Sequence, residues 1–77
     1  MDKVRLSRLK AGSKAVIKEH EDTDFRLTLL EMGCIPGESV KIEQIAPLGD
    51  PISIAVAGYS LSLRHNEAHG ILVEDVA

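Results

Sequence analysis

Residues 52–63 read Ile-Ser-Ile-Ala-Val-Ala-Gly-Tyr-Ser-Leu-Ser-Leu, two runs of alternation around one Ala-Gly pair. Alternation at every second residue marks a strand with one buried face, and two residues between such runs leave room only for a tight reversal. The pattern sets Ile52, Ile54 and Val56 on one face. It sets Tyr59, Leu61 and Leu63 inward on the return strand, with Ser60 and Ser62 outward. Ala57-Gly58 makes the turn.

The flanking segments extend this β pattern. Lys14–His20 reads as a strand centred on Val16 and Ile17, and residues 38–45 as another with Val40 and Ile42 facing in. In the second of these the alternation slips after Ile42, and a bulge near Glu43 restores its phase. Ile71-Leu72-Val73-Glu74 closes the chain's β content, and Leu6-Ser7-Arg8-Leu9 reads as a turn that tucks two leucines under the core. Helical spacing appears at Phe25, Leu29 and Met32 (i, i+4, i+7), with Leu30 beside them. Asp22, Thr23 or Asp24 can cap this helix, and Gly33 sits where a left-handed residue ends it, giving a helix over about 24–33. Pro36-Gly37 suits a type II turn, and residues 64–69 form one short helical turn ended by Gly70.

Five short antiparallel strands in 77 residues cannot build two good layers, but they can curl into a small barrel. The expected fold is mainly β: a small SH3-like five-stranded antiparallel barrel with an inserted helix, one domain over residues 1–77. A chain of this length buries only about 60% of its unfolded surface, so the core is thin.

Composition narrows the function classes. Residues 1–18 carry six bases and one acid, and residues 19–77 carry three bases and eleven acids. Strands can spread these charges over several faces; the sharper reading is a basic edge that docks an acidic partner. The chain is acidic overall and its aromatics are Phe25 and Tyr59, so no stacking platform for nucleic acid is visible. No apolar run reaches the ~18 residues of a membrane span, and the N-terminus is not a signal peptide. One cysteine, Cys34, precludes an internal disulfide and fits a reducing compartment; a cytoplasmic protein is expected. No paired-carboxylate, serine–histidine or phosphate-loop motif appears, so the chain is not expected to be an enzyme.

Two segments offer sites. In Ala46-Pro47-Leu48-Gly49-Asp50-Pro51, Pro47 and Pro51 lock φ, Gly49 takes a turn conformation and Asp50 can accept from a backbone N–H. That suffices for a register-holding loop, yet it also displays Leu48 on a stiff tip, and a stiff loop loses little entropy on binding. Leu48, Gly49, Asp50, Tyr59 and Leu30 on the helix are the candidate partner-binding residues. Gly33, Pro36, Gly37, Pro47, Pro51 and Gly58 are read as structural turn residues. His65 and His69 share one face of the short helical turn and are weak candidates for a transition metal such as Fe2+, with His20, Cys34, Glu67 or Glu74 as a third ligand. Cys34 itself reads as a small buried hydrophobe.

Three motifs together carry a resemblance. These are Leu-x-x-Met-Gly-x-x-Pro-Gly at 29–37, Ala-Pro-Leu-Gly-Asp-Pro at 46–51, and Gly-Tyr-x-Leu-x-Leu-Arg at 58–64. In this order, from about Leu6 to Glu74, the chain resembles the FeoA family, small cytoplasmic proteins associated with the ferrous iron transporter FeoB. The resemblance implies an SH3-like fold and a non-enzymatic accessory module that docks on the cytosolic side of FeoB. The same fold forms the C-terminal domain of iron-dependent repressors of the diphtheria-toxin-repressor type, so a domain that binds or senses Fe2+ directly is the alternative. No insertion into the membrane is expected, and an edge strand in so small a barrel offers weak pairing with a second copy.

Overall fold

The computed structural model describes residues 3–76. Six strands and two short helices follow in the order β1 (Val4–Arg5), β2 (Lys14–His20), α1 (Arg26–Glu31), β3 (Ser39–Ile45), β4 (Ile52–Val56), β5 (Tyr59–Leu63), α2 (His65–His69) and β6 (Ile71–Asp75). A 3-10 turn over Leu6–Arg8 joins β1 to the rest. The strands form one antiparallel sheet in the order β1-β6-β2-β3-β4-β5.

The expected five strands are thus six. The additional one is two residues long, too short for any periodicity, and it exists because β6 offers it an edge, pairing Val4 with Val73 and Arg5 with Leu72. Elsewhere the alternation holds except at two bulges, one in β2 between Ile17 and Glu19 and one in β3. Ile52, Ile54 and Val56 are all buried, and β4 pairs with β5 in the register Val56↔Tyr59. Ala57 and Gly58 both have positive φ, 52° and 86°, the signature of the type I′ turn that matches strand twist. In β3 the register slips between Ile42 and Gln44, a bulge at Glu43. In β2 the inward residues are Ala15 and Ile17, both fully buried.

Tyr59 departs from its expected inward place: it is 49% exposed. Its parity is that of Leu61 and Leu63, but it stands at the hairpin tip, beyond the rim of the core.

α1 is shorter than the expected 24–33 span because both ends are turns. At the start, Thr23 accepts from the Phe25 N–H through its hydroxyl (3.2 Å) and from Arg26 N–H through its carbonyl (3.2 Å). At the end, Cys34 N–H donates to Leu29 C=O (3.0 Å) and Gly33 N–H to Leu30 C=O (3.2 Å), with Gly33 at φ 104°. That pair of bonds is the Schellman motif, and Leu29 and Cys34, the two positions between which that motif usually places an apolar contact, are both buried in the core.

The core joins Leu6, Ile17, Leu29, Ile42, Ile54, Leu63, Ile71 and Val73, with Leu9, Phe25 and Met32 packed at its margin. Three of the six bases in the N-terminal segment lie against acids: Lys3 is 3.4 Å from Glu19, Arg5 2.6 Å from Glu21 and Lys18 4.0 Å from Glu74. The Arg5 hydrogen bond holds the Glu21 carboxyl below the ordinary carboxylate range. Because the folded value lies below the unfolded one, this stabilisation is present above about pH 4.5 and fades as pH falls through the folded value. Both side chains are partly exposed, so the effect is small. In thermal melts from pH 7 to pH 3, Glu21→Gln is expected to lower the melting temperature slightly near pH 7 and to converge with the parent protein towards pH 3, which flattens the acid limb.

Candidate functional site

The loop between β3 and β4 is tied at three points. Gly49 N–H donates to Ala46 C=O (2.7 Å) and Ala46 N–H to Pro51 C=O (3.1 Å), which closes the loop on itself. The Asp50–Pro51 peptide is cis. The Asp50 carboxylate reaches across to accept the backbone N–H of His65 (3.0 Å), the first residue of α2. Glu67 accepts the N–H of Arg64 (2.7 Å) at the same helix end. Asp50 is therefore engaged in fastening the loop to α2. Leu48 has no such engagement; it is 96% exposed at the tip, the most exposed of the large apolar side chains among the described residues.

The other candidates lie at the far end of the hairpin. β4 runs from the loop to the Ala57-Gly58 turn, about 15 Å at ~3.4 Å per residue. At that end the Tyr59 hydroxyl donates to the Met32 carbonyl. A Cβ on Gly33 would lie 2.8 Å from the Tyr59 hydroxyl oxygen and 3.2 Å from the Ala57 Cβ, so the hairpin tip rests on the end of α1. Leu30 is half-buried, and with Leu27, Arg26 and residues 22–24 it lines a shallow groove of about 360 Å3. Leu27 is 68% exposed and was not among the sequence candidates. The helical spacing held its signal, since Leu27 falls off the face defined by Phe25, Leu29 and Met32 and so must face solvent. The five expected partner-binding residues thus divide into two surfaces: Leu48, Gly49 and Asp50 at one end, Tyr59 and Leu30 at the other.

His65 and His69 are exposed, with ring centroids 6.5 Å apart. The residues considered as a third ligand are occupied elsewhere. The His20 Nε2–H donates to the Cys34 carbonyl (2.6 Å), Glu67 caps α2, and Glu74 lies 4.0 Å from Lys18. Cys34 is fully buried, and burial pushes its thiol pKa up, which disfavours the thiolate a metal would need. Among the described residues no three His, Cys, Asp or Glu side chains gather as a ligand set. The neighbouring acidic loop, residues 20–24, has structural work: Glu21 receives Arg5, whose guanidinium also donates to the His69 carbonyl (2.8 Å), and Thr23 closes the turn that leads into α1, whose N-cap position is Phe25 without a side-chain cap.

The FeoA domain family matches residues 4–75, which is nearly every described residue. The chain belongs to the FeoA family. That family is linked to ferrous iron transport. A fusion protein of Fe(2+) transport protein A and the Fe(2+) transporter FeoB from Porphyromonas gingivalis is 42% identical over 72 residues, covering 92% of this chain and 8% of that protein. The chain therefore spans less than a tenth of this relative's length. The solution structure of a FeoA-like protein from Clostridium acetobutylicum superposes with a TM-score of 0.94 at 36% identity, over 100% of this chain and 91% of that one. The zinc-complexed FeoA of Stenotrophomonas maltophilia, described as a prokaryotic SH3 domain protein, gives 0.77 at 28% identity, over 92% and 89%. The six-stranded antiparallel sheet is thus the small SH3-like fold of the FeoA proteins. No described helix of this FeoA-family chain is long and apolar enough to cross a membrane.

Proposed function

We propose that this chain acts as a single, non-enzymatic accessory module of ferrous iron uptake. It docks from the cytoplasm on the cytosolic side of a FeoB-type transporter, with the Leu48 loop as its anchor. The observation that carries the reading is Leu48 itself, 96% exposed on a loop closed by two backbone bonds and fastened to α2 through Asp50. Burying a leucine that is already held in place gains about 1.5–3 kcal/mol of transfer free energy with little ordering cost. The Porphyromonas gingivalis relative, in which Fe(2+) transport protein A and FeoB share one polypeptide, supports the choice of partner.

Amide-shift titration of labelled protein with the transporter's cytosolic domain tests this. Shifts are expected at 46–51, and Leu48→Asp is expected to weaken docking at least about tenfold without altering the rest of the spectrum. Unchanged docking by that variant, with shifts at 26–31 and Tyr59 instead, would move the anchor to the α1 groove. A second reading, direct Fe2+ binding, draws on the shared face of His65 and His69. It is supported only if anaerobic calorimetry gives a saturable site that His65→Ala weakens while the transporter domain causes no shifts.

A further inference from the structure

The sheet ends on β1 at one side and on β5 at the other. The two edges are protected very differently. β1 is two residues long, includes Arg5 and follows Lys3, and both shortness and charge discourage further pairing. β5 is five residues, Tyr59-Ser60-Leu61-Ser62-Leu63, with no charge, no proline and no bulge against β4. Among the described residues β4 is the element that packs along it.

Its backbone geometry follows from the hairpin. Across a two-residue turn the closing pair, Val56 and Tyr59, exchanges hydrogen bonds, and bonded and non-bonded pairs then alternate. Tyr59, Leu61 and Leu63 therefore spend their backbone groups on β4. The N–H and C=O groups of Ser60 and Ser62 face the open edge, and both serines are exposed.

We propose that the β5 edge is a homodimerisation surface on which β5 of a second copy pairs antiparallel about a two-fold axis at Leu61. In that register Ser60 faces Ser62 of the second copy, and Ser62 faces its Ser60, so all four edge-facing groups of each copy find partners. Leu61, half-buried in the single copy, meets the same residue of the second copy as a non-hydrogen-bonded pair, where side chains approach most closely. Half-exposed Tyr59 stands opposite Leu63, and Arg64 opposite Gly58, so no like charges meet. Self-complementarity of this kind is what an isologous two-fold interface requires, and an uncharged strand offers nothing to select a partner of other chemistry. Five residues a side fall well short of a standard interface, so the dimer is transient.

A dilution series followed by amide shifts, starting at about 1 mM where a complex of millimolar affinity is substantially formed, reads this directly. Shifts that depend on concentration are expected at 59–63, largest at Ser60 and Ser62. The register then predicts the outcome of two double variants. Ser60→Lys with Ser62→Lys sets like charges against each other and is expected to weaken pairing more than tenfold. Ser60→Lys with Ser62→Glu sets opposite charges against each other and is expected to retain it. Both positions are exposed, and the remaining amides report that the fold is intact. The Ser60 hydroxyl donates to the Glu43 carboxylate (2.9 Å), and both variants replace it with the same lysine, so the comparison between them isolates the charge at position 62. Invariant shifts across the series, shifts centred outside 59–63, or undiminished pairing by the double-lysine variant overturns the proposal. So does a monomer whose 59–63 amides respond only to the transporter domain, which would give the edge to a partner's strand.

Discussion

Ile54→Ala is expected to lower the free energy of unfolding by about 2–5 kcal/mol, the range for truncating a buried aliphatic side chain whose cavity cannot fully close. A domain of 77 residues has about 4–12 kcal/mol in total, so this one change removes a large part of it. The position explains the size. Ile54 is fully buried in the middle of β4, with Ile42 of β3 on one side and Leu61 of β5 on the other. Neither neighbour can move in without breaking its own ladder, so the void persists. Ile54→Val, which removes one methylene, should cost about 0.5–1.5 kcal/mol. Leu48→Ala, at a position that touches almost nothing, should cost close to zero. Urea unfolding with an unchanged slope is the measurement. A loss below about 1 kcal/mol for Ile54→Ala would mean that the barrel closes around the missing atoms, contrary to a core packed at interior density.

Gly33→Ala is expected to cost about 2–3 kcal/mol, from two sources that can be separated. An L-residue at φ 104° is strained by about 1–2 kcal/mol. The new methyl would also lie 2.8 Å from the Tyr59 hydroxyl oxygen and 3.2 Å from the Ala57 Cβ. It must push the tyrosine off the Met32 carbonyl, which forfeits a hydrogen bond of about 1 kcal/mol. Gly12→Ala is the control for strain alone, since Gly12 has φ 90° but open space where its Cβ would stand. Tyr59→Phe is the control for the hydrogen bond alone. Equal losses at Gly12 and Gly33 would show that the hairpin tip does not press on α1 in solution. In that case the Tyr59 end would be free to move apart from the helix.

The hairpin, the bulge and the helix end were legible because each is local. Alternation from Ile52 to Leu63 is a direct record of which face is buried, and the phase slip after Ile42 announces its own correction. The Schellman ending of α1 is written in Met32-Gly33-Cys34 within one turn of chain. What the sequence hid is what depends on distance along it. β1 is a strand only because β6, almost the whole chain away, lies beside it. Asp50 could be expected to accept a backbone N–H, but its donor, His65, is fifteen residues on. Tyr59 has the parity of a core residue and the place of a rim residue, and parity alone cannot tell where the core stops. The candidate site suffered most. Leu48 and Tyr59 are close neighbours in sequence, yet a straight β4 lies between them and carries them to opposite ends of the hairpin.

Cys34 gives the molecule a built-in stopwatch. It is the only thiol in the chain, fully buried, and held as the less reactive protonated form by its surroundings. A thiol reagent can reach it only during the moments when the end of α1 lifts from the barrel, so the labelling rate counts those moments. Anything that grips α1 slows the clock, and anything that pries the helix away speeds it. Binding at the Leu48 end, on the other side of the hairpin, leaves its pace alone unless the two ends communicate through β4.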